Sequence, residues 1–201
     1  TTWWLKPQTS FATALAPNER GGFNFITQFY EDRSTPPTEY VVLDLQTGKS
    51  KITEGPSGQY SNSNYQHANQ LRAKNGRIFF SELGNVISYY DPADESIKTV
   101  GAVIDPKDGD KFVFRLEFGP DGMIYGSTQA AHLPTVVQID PDTLKHKALG
   151  HVGKDRISYS YGYYLAADPP WVYVAVGQTP WELAAINITT GESKVLRVCA
   201  G

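Results

Sequence analysis

The side chains best suited to chemistry fall into a few stretches of the chain. Residues 55–69 carry Tyr60, Asn62, Asn64, Tyr65, Gln66, His67 and Asn69, and residues 150–162 carry Lys154, Arg156, Tyr159 and Tyr161. His132, Gln178 and Trp181 stand in two shorter ones. Aromatic rings mixed with amides, imidazoles and a guanidinium suit a sugar, which offers apolar C–H faces to rings and hydroxyls to planar donors and acceptors. If the sugar is a uronic acid, elimination across its C4–C5 bond needs a base for the C5 proton, a donor for the leaving oxygen and a cation near the carboxylate. His67 or His132, Tyr65 or Tyr161, and Arg156 are the candidates for those three catalytic roles. Tyr60, Asn64, Asn69, Lys154, Tyr159, Gln178 and Trp181 are the candidates for holding the substrate. Each residue also has a plainer reading: tyrosine and asparagine satisfy loop backbone, histidine sits on a surface loop, and Arg156 pairs in the neighbourhood of Asp155.

Other chemistry is excluded or left without support. The chain has no Gly-x-Ser-x-Gly elbow, His-Glu-x-x-His helix, phosphate loop or dinucleotide fingerprint. Its four histidines are dispersed, so a three-histidine metal site has no support, and His146 and His151 read as rim residues on or beside a strand. The acidic loop Pro106-Lys-Asp-Gly-Asp110 lacks the rest of a calcium-binding hand, so Asp108 and Asp110 read as solvated acids. A lactonase would need a divalent metal among acidic and amide side chains, for which Glu82, Asn69 and Asp110 are only loosely placed. No cofactor is therefore expected, with a divalent metal as the alternative. Eighteen basic against 21 acidic residues give a net charge of −3 with no basic run, which argues against nucleic acid as a partner. One cysteine, Cys199, excludes a disulfide within the chain. The longest apolar runs are strand length, so no membrane partner is expected. Thr1-Thr2-Trp3-Trp4 does not read as a signal peptide, which leaves a removed one open, and Asn187-Ile-Thr189 is a glycosylation sequon only in a secreted eukaryotic protein.

These residues must be positioned by β structure. With 18 Gly, 13 Pro, 12 Tyr and 9 Phe, the chain is too aromatic for disorder and too rich in turn formers for a helical bundle. Four short strands end alike: Tyr40-Val-Val-Leu-Asp44, Ile87-Ser-Tyr-Tyr-Asp91, Val136-Val-Gln-Ile-Asp140 and Leu183-Ala-Ala-Ile-Asn187. Their terminal Asp or Asn residues are 47, 49 and 47 residues apart, and turn formers follow each. Two further strands precede each, joined by tight turns such as Lys74-Asn-Gly76 and Gly119-Pro-Asp-Gly122. Each unit thus holds four strands, a to d. Four-stranded antiparallel units at this spacing indicate a β-propeller, whose blades cover each other's apolar faces around a channel. Stacked sheets in a sandwich are the alternative, but a sandwich does not require a near-constant period. The expected fold is all-β, with blades at about 11–57, 58–104, 105–152 and 153–201 after an N-terminal segment 1–10.

The stretches Leu116-Glu-Phe-Gly-Pro-Asp-Gly-Met-Ile-Tyr-Gly126 and Thr135-Val-Val-Gln-Ile-Asp-Pro-Asp-Thr143 resemble blades of the streptogramin-lyase and gluconolactonase-like propellers. The resemblance covers residues 11–198 at the level of blade pattern. It implies a propeller that in most such proteins has more than four blades, hence a chain that is part of a larger ring. The alternative is a closed four-bladed ring in which Thr1 to Leu5 helps seal the last blade. An unsealed ring would leave two apolar sheet faces in water. The a–b and c–d turns are tight, whereas the b–c and d–a connections are long, and the latter carry the residues named first. Binding residues usually reside on such loops. Several propeller polysaccharide lyases use His, Tyr and Arg, so the leading expectation is a lyase acting on a uronic-acid oligosaccharide by β-elimination. A non-catalytic recognition platform for glycan or protein is the alternative, and a metal-dependent lactonase the second. The expected partners are an oligosaccharide or other small polar ligand and further blades, from another chain or a missing part of the protein. A secreted or periplasmic location is the matching expectation.

Overall fold

The chain is described here by a computed structural model, over residues 9–30, 39–54, 70–81, 86–105, 107, 109–154, 160–177 and 180–199. Among these residues there is no α-helix, and every strand pairing is antiparallel. One sheet orders β1 (Thr9–Pro17), β2 (Phe23–Tyr30), β3 (Glu39–Asp44) and β4 (Ser50–Glu54). A second orders β5 (Gln70–Arg72), β6 (Ile78–Ser81), β7 (Val86–Asp91) and β8 (Ser96–Ala102). The third contains eight strands: β9 (Asp110–Phe118), β10 (Ile124–Ala130), β11 (Thr135–Ile139), β12 (His146–His151), β13 (Ser160–Asp168), β14 (Trp171–Gly177), β15 (Trp181–Asn187) and β16 (Ser193–Cys199).

Four separate sheets were expected, and the sheets instead number four, four and eight strands. The cause lies in β10, whose two halves pair differently. Ile124–Ser127 form the ladder with β11, while Gln129 and Ala130 pair with Tyr161 and Ser160 of β13. Two residue pairs therefore fuse β9–β12 with β13–β16 into one hydrogen-bonded sheet. A second difference concerns Asp110, which opens a strand instead of sitting in an acidic loop.

The repeated turns explain why the strands reverse where they do. The side-chain oxygen of Asp44 accepts the backbone N–H groups of Gln46 (2.8 Å) and Thr47 (3.1 Å). Asp140 does the same for Asp142 (2.9 Å) and Thr143 (3.1 Å), and Asn187 for Thr189 (2.9 Å) and Thr190 (3.0 Å). Asp91 accepts from Ala93 at 3.1 Å. Four residues after each of these anchors the backbone turns left-handed, at Gly48 (φ 69°), Glu95 (φ 53°), Leu144 (φ 62°) and Gly191 (φ 73°). A side chain that satisfies its own turn, followed by one left-handed residue, closes each c–d hairpin.

Alternation along the strands then builds the core between successive units. Ala16, Ile26, Tyr40 and Val42 meet Ile78, Phe80, Tyr90 and Ile97. Phe79, Ile87 and Tyr89, on the other face of the second sheet, meet Val113, Leu116, Ile124, Val137 and Ile139. Tyr125 and Val136 meet Leu165, Val172, Val174, Val176, Ala184 and Ile186. The second and third units are thus apolar on both faces, one toward the unit before and one toward the unit after. The arrangement is all-β and β-propeller-like.

Candidate functional site

Within each four-stranded unit the antiparallel order puts the starts of strands a and c and the ends of b and d on one side, and a buried polar network lies on that side in the third unit. Asp110 opens β9, Thr128 stands near the end of β10, Thr135 opens β11 and His151 closes β12. Strand pairing brings the four together, because Ser127 pairs with Val136, Ala130 with Asp110 and Thr135 with His151. One carboxylate oxygen of Asp110 accepts the Thr128 hydroxyl, and the other accepts the Thr135 hydroxyl. The Thr135 backbone N–H donates to Thr128 Oγ1 at 2.8 Å, and Thr135 Oγ1 lies 3.1 Å from His151 Nδ1.

Counting protons fixes the direction of this network. With Asp110 ionised, both hydroxyl protons go to its carboxylate, so Thr135 Oγ1 accepts from His151, whose proton then sits on Nδ1. In the neutral ring Nε2 is then the acceptor, on a side chain that is exposed to solvent. Burial raises the Asp110 pKa above the ordinary carboxylate value, against the lowering effect of the two hydroxyls and of His151. Asp110 is thus buried and hydrogen-bonded, which corrects its sequence reading as a solvated acid. The strand that begins at Asp110 folds its side chain against two threonines that no loop reading would supply.

The fourth unit carries a second buried acid at the same end. Glu182 in β15 accepts the backbone N–H of Lys154 at 2.9 Å. The approach is possible because residue 153 is glycine at φ 97°, where a Cβ would lie 3.2 Å from Glu182 Oε2. Beside it Trp181 contacts Tyr163 (ring centroids 4.9 Å), and Tyr163 stacks on Tyr161 (5.0 Å, 29° between planes). Phe114 of β9 meets both tyrosines edge-on, at 5.5 and 5.2 Å. These rings bridge the third and fourth units where β10 and β13 pair. Next to them Gln129 Oε1 is buried with no hydrogen-bond partner among the described residues.

Of the residues singled out in the sequence, four fall within the described part. His132 is exposed in the b–c turn and Lys154 is exposed beside Glu182. Trp181 is partly open to solvent, whereas Tyr161 is buried under its aromatic neighbours. Tyr161 and Trp181 are brought together through Tyr163, and Lys154 is tied to the residue after Trp181. Tyr60, Asn64, Tyr65, His67, Asn69, Arg156, Tyr159 and Gln178 lie outside the described residues, as do Glu82 and Asp108. Among the described residues no three His, Cys, Asp or Glu side chains converge as a metal site. The sequence reading passed over Thr128, Thr135 and Glu182 and set His151 aside as a rim residue. The available signal was position, since each stands at or next to a strand end on the long-loop side.

No protein-family model and no curated protein matches this chain. Solved structures do match. Puromycin hydrolase is similar over 94% of this chain and 29% of its own, at 9% identity and a TM-score of 0.50. The likeness is one of fold. A puromycin-hydrolyzing peptidase of Mycobacterium tuberculosis matches over 93% of this chain and 29% of its own (17% identity, TM-score 0.47). TolB from Acinetobacter baumannii matches over 95% and 44% (16% identity, TM-score 0.42). The chain therefore spans well under half the length of each of these structures. Fold likeness at such identity leaves the chemistry to be argued from the residues.

Proposed function

We propose that the chain supplies four four-stranded blades of a larger β-propeller ring, and that the end bearing the b–c and d–a connections receives a saccharide. The observation that carries the ligand class is the Asp110–Thr135–His151 network, which holds Nδ1 of an exposed imidazole and leaves its Nε2 to meet a ligand hydroxyl. The Lys154 ammonium and the partly open Trp181 ring occur at the same end. A sugar needs that combination: an acceptor and a donor for hydroxyls, and a flat ring for a C–H face. The two-residue ladder between β10 and β13 is short enough for the eight-stranded sheet to be two adjoining blades. The anchors and the left-handed residues four positions later repeat in all four units.

The test is a titration with uronic-acid and neutral oligosaccharides, followed by tryptophan fluorescence and by the imidazole signals of His151. Binding should perturb both, and Trp181→Ala and His151→Ala should each weaken it. No binding of any saccharide sinks the ligand class. Lyase chemistry, with His67 or His132 as base, Tyr65 or Tyr161 as proton donor and Arg156 on the carboxylate, is the catalytic form of this proposal. It predicts new ultraviolet absorbance from an unsaturated product. Binding without that product assigns the end to recognition alone.

A further inference from the structure

One cross-strand pair joins the start of strand c to the end of strand d, and its residues differ from unit to unit. Each first member stands five residues before an anchor: Glu39 pairs with Glu54, Val86 with Ala102, Thr135 with His151 and Glu182 with Val198. In the second unit the position holds two apolar side chains, within the same ladder and ahead of the same kind of turn. A unit therefore closes without a polar contact here, and the hydrogen bond between Thr135 and His151 is not a demand of the repeat. The network also carries a cost, because Asp110 is buried and a carboxylate leaves water unfavourably unless donors replace its hydration.

In return the third unit holds an imidazole in one orientation. Thr135 Oγ1 engages Nδ1 of His151 and leaves Nε2, on an exposed side chain, to accept a proton. The chain beyond His151 is pinned as well. Val152 is 0% exposed in the core and donates its N–H to the Pro134 carbonyl at 3.0 Å, while the Lys154 N–H donates to Glu182 at 2.9 Å. Gly153, at φ 97°, makes the bend between them. Lys154 follows His151 by three residues, so their Cα atoms lie within about 11 Å of each other. Both side chains are exposed, and among the described residues no carboxylate forms an ion pair with the Lys154 ammonium. A proton acceptor and a cation thus stand on one anchored segment, tied through Glu182 to the partly open Trp181 ring.

We propose that His151 is the general base and Lys154 the carboxylate-binding cation of an elimination on a 4-linked uronic acid, the roles for which the sequence offered His67 or His132 and Arg156. This rests on the saccharide reading given above. Nε2 takes the C5 proton, the electron pair of the C5–H bond becomes the C4–C5 double bond, and the C4–O bond breaks with its pair on the departing oxygen. That oxygen takes a proton from water, and the hydroxide left behind neutralises the proton that the imidazolium releases. The Lys154 ammonium holds the carboxylate, into which negative charge is drawn as C5 loses its proton. Asp110 and Thr135 are positioning residues, which keep the proton of the neutral ring on Nδ1 and leave Nε2 as the base.

The probe is a 4-linked uronic-acid oligosaccharide, with a neutral oligosaccharide of equal length as control. Ultraviolet absorbance of the unsaturated product reads turnover, calorimetry reads binding, and nitrogen NMR reads the tautomer of the neutral His151 ring. His151→Gln should lower turnover at least about 100-fold and change the dissociation constant by less than about tenfold. Lys154→Ala should weaken binding of the uronic acid about tenfold or more and leave the control as it was. Thr135→Val should move the ring proton toward Nε2 and lower turnover with binding kept, and Thr135→Ser, which retains the hydroxyl, should behave as the parent. Undiminished turnover in His151→Gln, equal weakening of both sugars by Lys154→Ala, or a parent ring with its proton on Nε2 overturns the proposal. Binding of the uronic acid without an unsaturated product also overturns it and leaves the saccharide reading standing, whereas binding of neither oligosaccharide sinks both.

Discussion

Replacing Thr135 by valine keeps the shape of the side chain and removes a single hydroxyl from the network at the loop end. That hydroxyl donates to one carboxylate oxygen of Asp110 and accepts from His151 Nδ1. His151 is exposed, so water replaces its lost partner at little cost. Asp110 is buried, with Thr128 left as its hydroxyl donor, so the ionised carboxylate loses a charge-assisted bond worth about 1.5–3 kcal/mol. The deficit should depend on pH. Burial already raises the folded-state pKa of Asp110, and losing a hydroxyl that lowers it raises it further. A carboxyl group with a raised folded pKa contributes stability that is fully present below its unfolded value of about 3.9 and is lost as pH rises through the folded value. In Thr135→Val that loss continues to higher pH than in the parent protein. The gap between the two should therefore open as pH rises above the ordinary carboxylate range and level off, once the carboxyl is ionised in both folded proteins, at about 2 kcal/mol. Urea unfolding followed by tryptophan fluorescence at several pH values measures it. A gap that is constant with pH, or within about 0.5 kcal/mol throughout as for an ordinary surface substitution, would refute the network.

Gly126→Ala would place a Cβ 2.8 Å from Val137 Cγ2 and 2.9 Å from Val113 Cγ1, and should lower stability by about 1–3 kcal/mol in thermal unfolding. Tyr90→Phe leaves the buried Asn24 amide without the hydroxyl it donates to at 3.0 Å, at a cost of about 1–3 kcal/mol in the same measurement. Asp140→Asn keeps both turn N–H acceptors, as Asn187 does in the fourth unit, and should cost at pH 7 only the charge-assisted part of those bonds. The Thr143 hydrogen bonds, chiefly, hold the Asp140 pKa below its ordinary value, so its contribution is present above that value and lost as pH falls through the folded one. Asp140→Asn should remove this acid sensitivity from the unfolding profile, whereas Asp140→Ala should lose turn support at every pH.

The repeat was legible because its anchors act locally. An Asp or Asn that satisfies its own turn leaves the same mark in sequence and structure, which is why Asp44, Asp91, Asp140 and Asn187 could be found without any tertiary contact. The fusion of the third and fourth units was not legible, because Gln129 and Tyr161 pair through the curvature of two sheets and not through any pattern in either strand. The polar network was missed for a related reason. Asp110, Thr128, Thr135 and His151 come from four strands, and each alone looks like an ordinary strand-end residue. Typing by loop composition favoured Tyr, Asn and His in long connections, most of which lie outside the described residues, and overlooked acids that the ladder folds inward. His132 and Lys154 remain where the loop argument put them, exposed at that end.

Position in the repeat and position in the series make different demands, and one pair of substitutions separates them. Ile87 and Leu183 occupy the same place relative to their anchors and carry isomeric side chains, so a local pattern gives them the same role. Ile87 is enclosed by the third unit, and Leu183 is 40% exposed on the outer face of the fourth. Truncating Ile87 to alanine should leave a cavity and cost about 2–5 kcal/mol. Leu183→Ala removes the same number of carbons from a side chain that the monomer covers only in part. Measured by chemical denaturation at concentrations too low for self-association, it should cost under about 1 kcal/mol, in line with substitutions outside packed cores. Equal costs for the two variants at low concentration would mean that the fourth unit is covered within the single chain, and the exposed faces would no longer call for a neighbour.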